Sequence, residues 1–220
     1  MPRRSAPQHT PPALILIGGS FDPVHAGHLW MAERLAQQQP TAQIAFLPTA
    51  GNPFKSTQTR PKHRLAMLRH ALRDRPFSIN CHEIFATPPT YTLDTLSAIR
   101  QQIGQQRPLI FVLGQDSLAS LPRWKGGLTL LELCHFWVFA RPDHNGDGLP
   151  DWMQAYLSPQ PDGLQQQASG LIYLDPRAPP TISSSQIRQN IHLHRPLVPK
   201  RIWTYNQQAH LYGFSKPDDF

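Results

Sequence analysis

Short apolar runs alternate with stretches of helical period along most of the chain. Residues 14–17 and 43–47 read as buried strands, with a helix over 28–39 between them. A polar loop over 49–61 carries Gly51, Pro53 and Pro61, and the helix that follows, 62–73, sets Leu65, Leu68 and Leu72 on one face. Residues 77–80 predict a short strand and 92–103 another helix. The runs at 109–113 and 136–140 are almost continuously apolar, which suits parallel strands covered on both faces. The βαβα order predicts an α/β fold, a doubly wound open parallel sheet with right-handed crossovers. Ligands in such sheets bind beyond the carboxyl ends of the strands.

The pattern changes over 141–170, where Pro, Gly, Asp and Gln predominate. A surface insertion is expected at about 143–170, with one helical turn around 152–157. A strand over 171–174, a helix over 184–193 and a last helix over 199–211 complete the expectation. Residues 1–12 carry Pro2, Pro7, Pro11 and Pro12 and no signal-type apolar core, so they read as a flexible tail ahead of a single domain spanning 13–215. No run reaches the ~18 apolar residues of a membrane span. Cys81 and Cys134 sit in apolar surroundings without a Cys-x-x-Cys spacing, which fits reduced thiols and a cytoplasmic protein.

The formal net charge is +7, but the cations are spread along the chain, and no nucleic-acid motif accompanies them. Nucleic acid is therefore not the expected partner. A basic protein that binds several small phosphates has the same composition.

Two strings carry candidate chemistry. Gly18-Gly-Ser-Phe-Asp-Pro-Val-His-Ala-Gly-His28 follows a strand and opens a helix, where free N–H groups and the helix dipole favour an anion. Its glycines allow close backbone approach, and one helical turn can aim His25 and His28 at the same phosphate. The string is neither a dinucleotide fingerprint nor a P-loop. As a zinc site it lacks a third ligand. The second string is Thr181-Ile-Ser-Ser-Ser-Gln-Ile-Arg188. Its serines can begin a helix, and Arg188, three residues past Ser185, can clamp phosphate with its planar fork. A third string, Asp143-His-Asn-Gly-Asp-Gly148, matches the start of a calcium loop, but Gln154 stands where the bidentate Glu belongs, and a solvated turn is expected instead.

The two phosphate-type strings resemble the Gly-Gly-x-Phe-Asp-Pro-x-His-x-Gly-His and Ile-Ser-Ser-Thr-x-Ile-Arg motifs of the nucleotidyltransferase superfamily. Three further stretches resemble those of the bacterial nicotinate-nucleotide adenylyltransferases: Tyr91-Thr-Leu-Asp-Thr-Leu96, Gly114-Gln-Asp-Ser-Leu118 followed by Trp124, and Arg141-Pro142. The resemblance runs from about Leu14 to Tyr212. It departs at Asn52-Pro-Phe-Lys55, where relatives often carry Pro-Pro-His-Lys; Lys55 keeps the cation and Phe54 replaces the histidine.

The resemblance implies a Rossmann-like nucleotidyltransferase fold and transfer of AMP from ATP to nicotinate mononucleotide, giving deamido-NAD and pyrophosphate. His25, His28, Lys55 and Arg188 are then the expected catalytic residues. Gly18, Gly19, Ser20, Phe21, Gly114, Asp116, Arg141, Ser184 and Ser185 are expected around ATP, and Tyr91, Thr92 and Trp124 around the nicotinate nucleotide. Mg²⁺ is expected as a cofactor held mainly by substrate phosphates. Transfer to another phosphate acceptor stays open, as do a non-catalytic nucleotide- or RNA-binding regulator and assembly into a homo-oligomer.

Overall fold

A computed structural model describes residues 11–50, 59–140 and 150–214. Six strands form one parallel sheet: β1 (Leu14–Gly19), β2 (Gln43–Pro48), β3 (Ser78–Ile79), β4 (Leu109–Gly114), β5 (His135–Phe139) and β6 (Ile172–Asp175). The spatial order is β3-β2-β1-β4-β5-β6, so the winding reverses between β1 and β4. This is the expected doubly wound architecture, and the reversal marks a crevice. Pairing with β2 continues to the end of β1, Gly19 opposite Pro48, whereas pairing with β4 stops at Ile17 opposite Val112. The two central strands therefore part just where the glycines begin.

The alternation of side chains along each strand divides the core between the two faces. Ile15, Ile17, Ile110 and Val112 face α1 (Ala26–Gln38), α2 (Pro61–Leu72) and α7 (Lys200–Gln208), packing on Leu35, Met67, Leu68 and Ile202. Leu14, Leu16, Phe111 and Leu113 face α3 (Thr92–Ile103), α4 (Gln115–Ser120) and α5 (Leu130–Leu133), packing on Leu96, Ile99, Leu118 and Leu130. Both faces are covered, which accounts for the near-continuous apolar strands.

Several boundaries differ from the pattern-based expectation. Residues 115–133 fold into α4, two 3-10 turns and α5, because each turn seats one Leu (Leu118, Leu121, Leu130) against the sheet without a full helical period. The helix expected over 184–193 is α6 (Ser184–Gln189); it stops at Asn190, whose backbone leaves the helical region at φ −155°. In the stretch expected as an insertion, a 3-10 turn at Asp151–Tyr156 and another at Pro161–Gln165 drive Met153 and Leu164 into the two halves of the core. The calcium-like string falls outside the described residues, as do the N-terminal tail up to Thr10, Lys55 and Arg141. No helix among the described residues is long and apolar enough to cross a membrane.

Candidate active site

A cleft of about 810 Å³ opens where β1 and β4 part, lined along its floor by Gly18, Gly19, Ser20 and Gly114. At Gly18 a Cβ would come within 2.8 Å of the Phe111 ring, so a side chain there would close the floor. Phe21, the next residue but one after Gly19, adopts φ +50°, a left-handed conformation that costs a phenylalanine about 1–2 kcal/mol. Its ring is fully buried and meets His28 edge-on, with centroids 4.9 Å apart. The Phe21 ring is thus a support beneath a histidine.

His25 caps the start of α1 and His28 lies in its first turn; their rings stand 3.8 Å apart at 32°. The backbone N–H of His25 donates to His28 Nδ1 at 3.3 Å. That bond selects the tautomer with the proton on Nε2, leaving His28 an outward N–H donor. Burial pushes the His25 imidazole down to about 4. Burial, then the charge His25 would carry, holds His28 well below the usual imidazole range. Both rings are neutral near pH 7. His25 Nδ1 is buried with no close hydrogen-bond partner among the described residues.

The second string packs directly on the first. Ser183 caps α6 in a reciprocal box with Gln186: its Oγ accepts the Gln186 N–H at 3.2 Å, and its own N–H donates to Gln186 Oε1 at 2.8 Å. Ser184 Oγ instead donates to the Pro23 carbonyl at 2.9 Å. Arg188 Nη1 donates to the Asp22 carbonyl at 2.6 Å, and its Nη2 donates to Ser185 Oγ at 3.1 Å. Strings about 160 residues apart in sequence are cross-linked here, and Arg188 keeps further N–H donors for a ligand.

Tyr91, Thr92 and Trp124 line the cleft together with Gly18, Gly19 and Ser20, whereas His25, His28, Ser184, Ser185 and Arg188 are not among its lining residues. Tyr91 precedes α3, and the Lys125 ammonium lies 4.6 Å from its ring centroid. Lys125 also pairs with Asp94 at 2.9 Å, tying the Trp124 turn to α3. Trp124 Nε1 donates to Ser120 Oγ at 3.0 Å, which fixes the indole's edge. Asp116 is exposed in the first turn of α4, beside the cleft-lining Ser117.

Four site residues had not stood out in the sequence. Glu83 is buried on the cleft wall and accepts the Thr95 hydroxyl at 2.7 Å and the Thr90 hydroxyl at 3.4 Å, holding the approach to α3. Arg64, buried in α2, donates to the carbonyls of Ser20 (2.8 Å), Ala50 (2.9 Å) and Thr59 (3.1 Å), gathering the chain beyond β1 and β2. Asp22 and Tyr212 meet beneath the first string at 2.5 Å. A cation at position 64, on the apolar stripe of α2, was the one visible signal.

Comparison with known proteins bears on what this cleft holds. The family profile described as cytidylyltransferase-like matches residues 16–190. A Hahella chejuensis protein named "Probable nicotinate-nucleotide adenylyltransferase" is 37% identical over 94% of this chain and 97% of its own length. A Yersinia pestis protein of the same name is 35% identical over 90% of this chain and 94% of its own. Among solved structures, Plasmodium falciparum nicotinic acid mononucleotide adenylyltransferase complexed with NaAD superimposes with a TM-score of 0.71 at 19% identity, covering 93% of this chain and 98% of that one. Its complex with APC gives a TM-score of 0.64 at 18% identity, over the same shares. At such identities the likeness is one of fold.

Proposed function

The chain belongs to the cytidylyltransferase-like family and, within it, to the nicotinate-nucleotide adenylyltransferases, and from that premise we propose how its residues divide the reaction. The enzyme joins the AMP part of ATP to nicotinate mononucleotide in NAD biosynthesis, with deamido-NAD and pyrophosphate as products. The mononucleotide phosphate is already ionised and attacks the α-phosphorus in line, so the protein's task is to position the reactants and stabilise charge.

One observation supports the placement of ATP: Ser184 and Arg188 are bonded to the Asp22-Pro23 backbone that leads into His25 and His28. One triphosphate can therefore reach both strings. His28 Nε2–H is assigned to the α-phosphate and His25 to its neighbour. Arg188 and Ser185 are assigned to the β- and γ-phosphates and the leaving pyrophosphate, with Ser184 tying α6 to the first loop. Gly18, Gly19 and Ser20 let the nucleotide lie on the backbone. Tyr91, Thr92 and Trp124 take the nicotinate ring, Trp124 by stacking and Thr92 from the start of α3. Gly114 and Asp116 are assigned to the nucleotide side. Lys55 and Arg141 keep the phosphate and nucleotide roles that the resemblance implies.

Mg²⁺ fits this arrangement as a companion of the substrate. Among the described residues no three His, Cys, Asp or Glu side chains come together, and both Asp22 carboxylate oxygens are already hydrogen-bonded. Phosphate oxygens and water would hold the ion, which would neutralise charge on the leaving pyrophosphate.

The test is pyrophosphate release with ATP, Mg²⁺ and each candidate acceptor, with the product identified by mass. Deamido-NAD formed faster from nicotinate mononucleotide than the product from its amide is the expected result. Turnover with only a different acceptor would overturn the assignment of the Tyr91–Trp124 end. His28→Ala should lower kcat by about 10²–10³-fold with the fold intact, as loss of one transition-state donor does. Near-normal turnover would remove His28 from the α-phosphate.

A further inference from the structure

We propose that Tyr212 is a positioning residue for ATP: its hydroxyl satisfies the buried Asp22 carboxylate and so keeps the Arg188 guanidinium from being drawn onto that carboxylate and away from the substrate phosphates. The proposal rests on the reading of Arg188 as a phosphate clamp.

Asp22 is fully buried, and its carboxylate must find donors inside the protein. Oδ1 accepts the Tyr212 hydroxyl at 2.5 Å, and Oδ2 accepts the Thr59 backbone N–H at 3.1 Å. The Thr59 hydroxyl donates to the Tyr212 oxygen at 3.1 Å, which turns the tyrosine's proton toward Asp22. Burial and the neighbouring carboxylate push the Tyr212 pKa upward, so this donor stays protonated across the working range.

Two guanidinium groups stand close, and neither hydrogen-bonds the carboxylate. Arg64 is directed at the carbonyls of Ser20, Ala50 and Thr59. Arg188 Nη1 donates to the Asp22 carbonyl and makes a long ion pair with Oδ2 at 3.9 Å, which a small movement would shorten into a direct hydrogen bond. Two strong hydrogen bonds from elsewhere keep the carboxylate from drawing Arg188 down. With the Tyr212 donor gone, the same carboxylate is one bond short in a buried site, and the nearest unsatisfied donors belong to Arg188.

The backbone around this contact is held in unusual shapes on both sides. Tyr212 has φ +57° and Phe21, the residue before Asp22, has φ +50°. Non-glycine residues persist there only where the surroundings over-determine them, commonly at functional sites. After α7 the chain turns back, with the Leu211 N–H on the Asn206 carbonyl at 2.9 Å, and this turn delivers Tyr212 under the phosphate loop.

The experiment is steady-state kinetics on the full chain with Tyr212→Phe, Asp22→Asn and the double variant. Tyr212→Phe should raise KM for ATP by about tenfold, equivalent to about 1.4 kcal/mol, and leave KM for nicotinate mononucleotide within about twofold. Asp22→Asn in the Tyr212→Phe background should bring KM for ATP back toward wild type, because a neutral amide no longer attracts Arg188. A merely structural role would not give that rescue. Unchanged KM for ATP in Tyr212→Phe, an equal rise in both KM values, or a double variant worse than the single would each overturn the proposal. Should Tyr212→Phe fail to fold, Thr59→Ala, which removes only the hydroxyl orienting the tyrosine, should raise KM for ATP selectively, and an unaltered value would count against it. Wild-type turnover separates the two levels. If the wild type does not make deamido-NAD, the site reading itself fails; if it does and Arg188→Ala raises KM for ATP, a failure of Tyr212→Phe falls on this inference alone.

Discussion

Gly27 sits between the two histidines, and its missing side chain is occupied by one of them. A Cβ there would lie 3.1 Å from His25 Nδ1 and Cε1. Gly27 is helical and buried, so alanine suits the backbone and gains up to about 1 kcal/mol of helix propensity. Gly27→Ala should therefore keep thermal stability near the wild-type value while pushing the His25 ring off its place and lowering kcat/KM by at least about tenfold. Full activity in the variant would mean that the ring position is not critical. The same histidines set a pH dependence. Both are neutral in the free protein, His25 with a value lowered to about 4, and an anionic phosphate brought against them raises their proton affinity. Binding then takes up protons in the range between the lowered free values and the raised bound ones, so ATP should bind more tightly as pH falls from about 6.5 toward about 5, and more steeply in the wild type than in His28→Asn. Calorimetry in buffers of different ionisation heat measures the uptake directly; none in the wild type would sink the argument.

Buried arginines hold the two ends of the sheet, and they differ in what they serve. Arg64 in α2 gathers carbonyls beyond the carboxyl ends of β1 and β2, next to the cleft. Arg100 in α3 donates to the carbonyls of Leu133 (3.0 Å), Gly104 (3.1 Å), Arg107 (2.6 Å) and Ala168 (3.0 Å), at the amino end of β4 and β5. Replacing either with Met leaves buried carbonyls unpaired and should cost about 2–4 kcal/mol in urea unfolding. Arg100→Met should leave kcat/KM close to wild type, whereas Arg64→Met should also lower it; equal kinetic effects would refute the division. These residues also show what was legible. The stripe of Leu65, Leu68 and Leu72 gave the helix, and the apolar runs gave a parallel sheet, because period and burial are local. Arg64 lies on that stripe, but a long cation can also reach out to water from an apolar face, so its burial could not be read. The strings made His25, His28 and Arg188 candidates because each segment is contiguous, and the structure joins the two segments. Ser184 on Pro23 and Tyr212 on Asp22 are settled by contacts between distant segments, 161 and 190 residues apart. Periodicity carries no information about such contacts.

For the whole molecule, acid is the condition that this set of buried groups resists least. His135 lies fully buried in β5 with both ring nitrogens engaged: Nδ1 accepts the Leu171 N–H at 3.0 Å, and Nε2 faces the Gln167 carbonyl at 2.9 Å. Only the neutral ring with its proton on Nε2 satisfies both. Burial accordingly pushes its value from 6.5 down to about 4. The unfolded chain binds the proton first, so the stability from this histidine is fully present above about pH 6.5 and is lost as pH falls toward about 4. Between about pH 7 and about pH 5 that loss amounts to about 2 kcal/mol, and His25, depressed by the same cause, adds to it. The two sites report on different things. Bound ATP should relieve the loss at His25, which gains a charged partner, and leave His135 untouched, since it sits at the opposite end of the strands. Urea unfolding of the wild type and His135→Gln at the two pH values, with and without ATP, separates them. The variant should be less stable near neutrality but lose about 2 kcal/mol less on acidification, while ATP should flatten the remaining dependence in both. Equal acid losses in the two proteins would show that His135 is not buried neutral, and with it that the β5–β6 end of the sheet is open to water.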